Sequence, residues 1–428
     1  MRVRARLFRY GGLEVAHDSL TGHFQLDGTH FQESVALDGV GDLATPAVRA
    51  VAHLWYLIAG LSYYKAGAAL RVDLDRTPVG PKGRALLRAA IVDGLGEFSY
   101  RNDLDLDDVV LEGGVDAASY SPLLDPQRVL TPFGGGIDSV VTVRRLAPLL
   151  EQTLFVQSPA AGRFAALEDT AAVTGLAIVR ASRSLDPQIL FEHDDFFQGH
   201  VPVTAMVTLL ACVAAVASGR GGVAMSNEHS SSSPNLRWHN RDVNHQWSKS
   251  WAAEELIGDA VQELIGGEFT VASVLRDRSE LWVAQEFSAE EQFHHVFRSC
   301  NRAFTQDASR RAVRWCGECD KCLFIDLILA PFVSRSRLRD IFGAEPLADL
   351  DRADQLRTLV GLGAEHKPFE CVGDPDESAV ALTRVSAMDE WADVAHLGEL
   401  ARLTSPDRGF EELLNVQGPT RAPAHWLR

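Results

Sequence analysis

Residues 128–140 read RVLTPFGGGIDSV. Val129 and Leu130 begin an apolar run that passes through Phe133 into Gly134, Gly135 and Gly136. Ile137, Asp138 and Ser139 follow, and helical spacing continues to Leu150. The pattern predicts a strand, a tight turn and the first turn of a helix. Glycines let backbone N–H groups close around an anion, and a helix N-terminus adds unpaired donors with partial positive charge. The lysine of G-x-x-x-x-G-K-[ST] is absent, which argues against γ-phosphate chemistry. The competing reading is a glycine-rich turn at an ordinary strand–helix junction.

Outward from this stretch, short apolar runs alternate with helical patterns. Strands are predicted at Val129–Phe133, Thr153–Gln157, Ala177–Arg180 and Val223–Ser226, and helices at Ser139–Leu150, Arg163–Thr174, Pro202–Ala217 and Trp251–Ile265. Such a rhythm implies an α/β fold with a mainly parallel sheet and ligands beyond the strand C-termini. Gly134–Ser139 and Ser226–Glu228 both fall at such ends. Residues 1–120 read as an N-terminal α+β domain: a β-rich stretch to 45, a helical one to 70 and another near Lys82–Leu95. Residues 121–285 read as the nucleotide-binding domain, and residues 286–428 as a cysteine-cluster and helical C-terminal region.

The chain has 428 residues, 46% hydrophobic and 23% charged, with a net charge of −17. That size supports two or three domains. The acidic balance argues against nucleic acid or anionic membrane as partners, because neutralising phosphates requires a basic surface. Val201–Ser218, the longest apolar stretch, reads as a buried helix. Met1–Tyr10 lacks the apolar core of a secretory signal, so a cytoplasmic location is expected.

Four of the six cysteines fall between Cys300 and Cys322. Cys316, Cys319 and Cys322 at C-x-x-C-x-x-C spacing, with Cys300, match a closed tetrahedral thiolate shell for structural zinc; an iron–sulfur cluster is the alternative. Three polar segments remain. MSNEHSSSSPN (225–235) places Ser226, Asn227 and Glu228 after a predicted strand, where Glu228 or His229 could hold Mg²⁺ or move a proton. VNHQWSKS (243–250) offers His245 and Lys249, the lysine able to neutralise phosphate. KPFECVG (367–373) carries Cys371, a base or nucleophile if its pKa is lowered and otherwise a buried thiol.

The loop resembles S-G-G-x-D-S, the PP-loop of ATP pyrophosphatases (adenine nucleotide alpha hydrolase-like), with Gly134 in place of the first serine. Together, GLGEFSYRN, PFGGGIDS, MSNEHS, VNHQWSKS, SC…WCGECDKC and KPFECVG resemble the ATP-dependent UDP-N-acetyl-muramoyl-L-alanyl-L-glutamate epimerases of peptidoglycan synthesis, the MurL type. That resemblance implies inversion of the terminal L-Glu of UDP-MurNAc-L-Ala-L-Glu to D-Glu, with ATP converted to AMP and pyrophosphate. It implies nucleotide contacts from Gly134, Gly135, Gly136, Asp138, Ser139, Ser226 and Asn227, with Asp138 orienting Mg²⁺. Lys249 or Arg298 would balance charge, and His245, Glu228 and Cys371 are unranked candidate bases. Tyr63, Tyr64, Lys65, Tyr100 and Arg101 are candidate contacts for the UDP group. Direct deprotonation and closure to an oxazolone both stay open. The alternative function is a PP-loop amidotransferase or nitrile-forming ligase, distinguished by a requirement for ammonia. The sequence does not give an oligomeric state.

Overall fold

Alternating burial builds three antiparallel strands from the first part of the chain: β1 (Leu7–Val15), β2 (Ser19–Leu26) and β3 (Thr29–Asp38). In β2 every second residue is buried, as a sheet with one face on a core requires. Two short strands, β4 (Arg71–Asp73) and β5 (Val110–Glu112), extend the β1 side in parallel. This computed structural model describes residues 2–190, 193, 195–305, 308–363 and 366–427.

The expected parallel sheet follows. It contains β6 (Asp125–Pro132), β7 (Glu151–Pro159), β8 (Ile178–Ser184) and β9 (Arg220–Met225). A two-stranded hairpin, β10 (Leu236–Trp238) and β11 (Arg241–Val243), precedes β12 (Thr270–Ser273). The strand order is β12-β9-β6-β7-β8-β3-β2-β1-β4-β5, one sheet of ten. The five strands from β12 to β8 run parallel, and β6 lies between β7 and β9. Chain order therefore reverses between β6 and β9, the switch point beyond which ligands bind in open α/β sheets.

Helices cover both faces. Pro46–Ala59, Val203–Ala217 and Trp251–Ile265 pack in one core with the N-terminal strands. Ile137–Leu146, Glu280–Ser288, Asp320–Leu329 and Pro375–Ser386 build a second core. Burial on both sides explains why β9 is buried at every position instead of alternating. The apolar stretch expected to be a buried helix is Val203–Ala217, and no helix among the described residues is long and apolar enough to cross a membrane.

The N-terminal strands join the parallel sheet through one seam, where β3 pairs antiparallel with β8 from Ser34↔Ser184 to Asp38↔Arg180. Beside it the Arg183 guanidinium donates to both oxygens of Glu33 at 2.6 and 3.1 Å, and Glu33 is fully buried. Removing one partner of such a pair strands a buried charge, at a cost of about 3–5 kcal/mol. Glu33→Ala is expected to lower unfolding free energy by about that amount in urea titration; a loss below about 1 kcal/mol would show that the pair does not hold the seam.

Candidate active site

The chain leaves β6 at Pro132 and enters the helix Ile137–Leu146 through the three glycines, each in a different environment. Gly135 has φ +75°, the left-handed region that L side chains avoid. A Cβ on Gly136 would sit 2.6 Å from Ser299 Oγ, because the Arg298–Ser299 segment crosses the turn and Arg298 N donates to Gly135 O at 3.1 Å. Gly134 faces open space, and nothing in the structure requires glycine there. Among the described residues, no side chain caps the helix N-terminus. Ser139 Oγ donates back to Gly136 O at 2.9 Å, which fixes the turn.

Across the switch point, the loops after β9 and β12 are tied by buried polar groups. Ser273 Oγ donates to Asn227 O at 2.6 Å. Arg276, 1% exposed, donates to Glu254 Oε2 at 3.0 and 2.9 Å, to Glu228 O at 2.8 Å and to Lys249 O at 2.5 Å. The segment 367–373 is sewn to the same block: Asn235 Nδ2 donates to Pro368 O at 2.6 Å and Gln246 Nε2 to Val372 O at 3.0 Å. Asn244 and Gln246, within the same VNHQWSKS segment, are therefore braces. Asn244 Nδ2 donates to Ser231 O at 3.0 Å.

Gly134, Gly136, Asp138, Ser139, Ser226, Asn227, Lys249 and Cys371 line one cleft of about 350 Å³, joined by Arg298 and Lys321. Gly135 shapes the turn without lining the cleft. Neither Glu228 nor His245 lines it: Glu228 is 4% exposed beneath the wall, and His245 stands behind Cys371. His229 packs against Gly418, away from the cleft. Tyr63 and Tyr64 are fully buried in the core, so they offer no ligand surface. Lys65 lines a neighbouring cavity of about 650 Å³, while Tyr100 and Arg101 lie against Phe369.

Charge is concentrated here. Burial, then Glu228 and Glu280, push the Asp138 carboxyl well above its usual range, and its Oδ1 has no partner among the described residues. Ser226 Oγ is likewise buried without a partner. Burial opposes the charge of Lys249, but Cys371, Glu228, Asp138 and Glu280 keep it protonated. Lys321 Nζ lies 3.4 Å from Glu280 Oε1 and is held charged against burial in the same way. Burial would raise the Cys371 thiol, but Lys249, a hydrogen bond with His245 and Lys321 pull it down to about 6. His245 Nδ1 lies 2.5 Å from Glu97 Oε2, and against burial its bonds to Cys371 and Glu97 raise it to about 9.

Glu97, His200, Glu280 and Lys321 were not expected. Glu97 lies within GLGEFSYRN and Lys321 within CDKC, so these motifs contain the residues without distinguishing them from their neighbours. The four cysteines do converge: the Sγ atoms of Cys300, Cys316, Cys319 and Cys322 lie within 4.8 Å of one another, a cluster that could hold a metal ion and is compatible with zinc. Cys322 is 3.5 Å from Cys316 and 3.4 Å from Cys319.

A family model described as the MurL N-terminal domain matches residues 2–274, and one described as the MurL C-terminal domain matches residues 296–412. The chain is 35% identical over 416 residues to a protein of Xanthomonas oryzae pv. oryzae (strain MAFF 311018) named UDP-N-acetyl-alpha-D-muramoyl-L-alanyl-L-glutamate epimerase. The match covers 94% of this chain and 91% of that relative. Relatives of the same name from Micromonospora sp. (strain ATCC 39149 / NRRL 15099 / SCC 1413) and Salinispora tropica are each 39% identical. Those matches span 82% and 80% of this chain, and 78% and 74% of the respective relatives.

The three glycines should respond differently to a side chain. Gly134→Ser is expected to change stability by less than about 0.5 kcal/mol, and Gly135→Ala to cost about 1–2 kcal/mol for its left-handed backbone. Gly136→Ala should cost less than about 1 kcal/mol, because the one close atom, Ser299 Oγ, can rotate away, and Ser299→Ala in the same chain should recover most of that loss. Denaturant titration of the four variants checks the pattern; equal costs at all three positions would contradict it.

Proposed function

This chain belongs to the MurL family, and from that premise we propose that it inverts the terminal L-Glu of UDP-MurNAc-L-Ala-L-Glu to D-Glu at the expense of ATP. The observation that carries the reading is one cleft holding both an anion-type glycine loop and a thiol charged by neighbouring lysines. Epimerisation of a peptide-terminal glutamate needs both functions. Its α-proton is hard to remove beside an ionised carboxylate, since the carbanion would adjoin a negative charge. ATP supplies an adenylyl group that converts this carboxylate into an uncharged acyl electron sink, leaving pyrophosphate.

The residues fit these groups. The amides around Gly134–Gly136 and the open helix N-terminus suit the β and γ phosphates as a PP-loop does. Asp138, with Oδ1 unpartnered among the described residues and its charge opposed by burial, then by Glu228 and Glu280, would hold Mg²⁺; a cation there offsets both the burial and the repulsion that raise its pKa. Ser226 and Asn227, at the end of β9, face the same space. Lys249, Lys321 and Arg298 balance the charge of the phosphates and the substrate carboxylates. At the cysteine cluster the sulfur–sulfur distances of 3.4 and 3.5 Å approach the edge of a tetrahedron of zinc–thiolate bonds, about 3.8 Å for bonds of ~2.3 Å. Zinc there would be structural: Cys319 and Cys322 flank Lys321, and Cys300 follows Ser299, so the shell fixes two segments of the cleft wall.

The test is incubation with ATP, Mg²⁺ and UDP-MurNAc-L-Ala-L-Glu, scoring AMP, pyrophosphate and chiral glutamate after acid hydrolysis. AMP and D-Glu should appear together, and Lys249→Ala should slow both by about 10²-fold. AMP without D-Glu, or AMP that depends on added ammonia, would replace the epimerase with a carboxylate-activating ligase. Elemental analysis of the purified chain should find one equivalent of zinc, and Cys316→Ser should lose most of it; iron with sulfide would reassign the site.

A further inference from the structure

Among the three candidate bases, Cys371 lines the cleft, while Glu228 and His245 do not. Behind it stand two side chains with no role so far. His245 places Nδ1 2.5 Å from Glu97 Oε2, which leaves the other ring nitrogen for the thiol. Glu97, 6% exposed, also accepts from Arg101 Nε at 2.6 Å. The His200 ring lies over that of His245, with centroids 4.2 Å apart and planes tilted by 38°.

We propose that Cys371 is the base that removes the α-proton, and that Glu97 and His200 are positioning residues acting on it through His245. The proposal rests on the epimerase reading of the cleft. Three separate segments meet to build this relay, each fastened to the next. Glu97 comes from the helix Gly96–Asn102, and Asn102 Nδ2 donates to Gln198 O at 2.9 Å, locking the His200 segment onto it. Lys65 Nζ donates to Gly199 O at 2.9 Å. His245 N donates to Asn235 Oδ1 at 2.8 Å, and Asn235 in turn holds the backbone at Pro368, three residues before the thiol. A cysteine packed only as filler would need none of this.

The electrostatics agree with the geometry. The cations acting on the thiol are His245, Lys249 and Lys321; Glu97 lies behind His245, and Asp138, Glu228 and Glu280 surround the lysines. Lys367, from the thiol's own segment, is buried and lies within its field. Near pH 7 the balance makes Cys371 a thiolate and His245 an imidazolium. Burial, then the charge on His245, push His200 down to about 3, so it packs as a neutral ring.

In the step itself, the Cα–H bond breaks and an S–H bond forms on Cys371, while the C–H electron pair moves into the activated acyl group as an enolate. A lysine ammonium of the cleft wall delivers a proton to the opposite face of Cα. The thiol then returns its proton to that lysine through water, and a water molecule attacks the acyl carbon and displaces AMP, restoring the carboxylate, so no oxidant or reductant is consumed.

The experiment uses the full chain in two arms. Without substrate, the rate of Cys371 alkylation by iodoacetamide, read by mass spectrometry against pH, should have its midpoint near 6. Glu97→Gln and His200→Ala should each move that midpoint, the former upward by one unit or more. With ATP, Mg²⁺ and substrate in D₂O, Cys371→Ser should lose at least 10²-fold in deuterium uptake at Cα while AMP release stays within about tenfold, which also shows that the variant folds. A wild-type chain that makes no D-Glu overturns the reading beneath the proposal. If the wild type epimerises but Cys371→Ser keeps its exchange, or loses AMP release as well, the base assignment alone falls. An alkylation midpoint unmoved by Glu97→Gln would remove the positioning role. Glu97, His200 and His245 also have ligand atoms within 4.8 Å of one another; a second equivalent of bound metal, lost in His200→Ala, would replace the relay with a metal site.

Discussion

The ion pair of Arg276 with Glu254 holds the cleft wall in place. Both side chains are nearly inaccessible, at 1% and 3%. Burying a guanidinium is costly unless its donors are filled, and here the remaining donors go to the carbonyls of Glu228 and Lys249 and to Ser231 Oγ at 3.2 Å. The cation just past β12 thus joins the loop after β9, the turn carrying Lys249 and the helix Trp251–Ile265. Ser231 repeats the connection, its Oγ lying 2.7 Å from Glu228 O and 2.9 Å from Lys249 O, with its one proton able to go to either. The lysine that faces the cleft is consequently held by its backbone, leaving its ammonium to serve the site.

The site that results is electrostatically unlike the rest of the chain. The molecule carries a net charge of −17, yet its cleft gathers Lys249, Lys321 and Arg298. Carboxylates lie behind these cations and keep the two lysines protonated against burial. The cations of the cleft thus depend on local carboxylates, whatever the sign of the charge on the chain as a whole. Cys371 draws on the same charges.

The glycine loop was legible because its information is local: strand, turn and helix follow one another within the 22 residues Asp125–Leu146, and periodicity reports them directly. The helix Trp251–Ile265 was bounded correctly for the same reason, Ser250 accepting from Ala253 N at 3.3 Å as an N-cap. β12 was missed because four residues carry too little periodicity to separate a strand from a turn, and the arginine beyond it went with it. Glu97 was visible only as part of a motif. Its meaning depends on His245, 148 residues away, and no pattern along the chain encodes that meeting. Tyr63 and Tyr64 illustrate the converse, since an aromatic beside a lysine reads the same whether it faces a ligand or the core.

The seam between β3 and β8 also imposes an order on the birth of this molecule. Residue 34 meets residue 184, so about 150 residues must leave the ribosome before the outer edge of β3 finds its partner. Until then the edge of β3 that β8 covers in the finished sheet has a row of backbone donors and acceptors without that partner, a template for pairing with the wrong strand. Glu33 lies beside that row, unpaired during the same interval because Arg183 has yet to be synthesised. A charge that cannot be buried alone keeps the nascent edge wet, discouraging foreign partners until the right cation arrives.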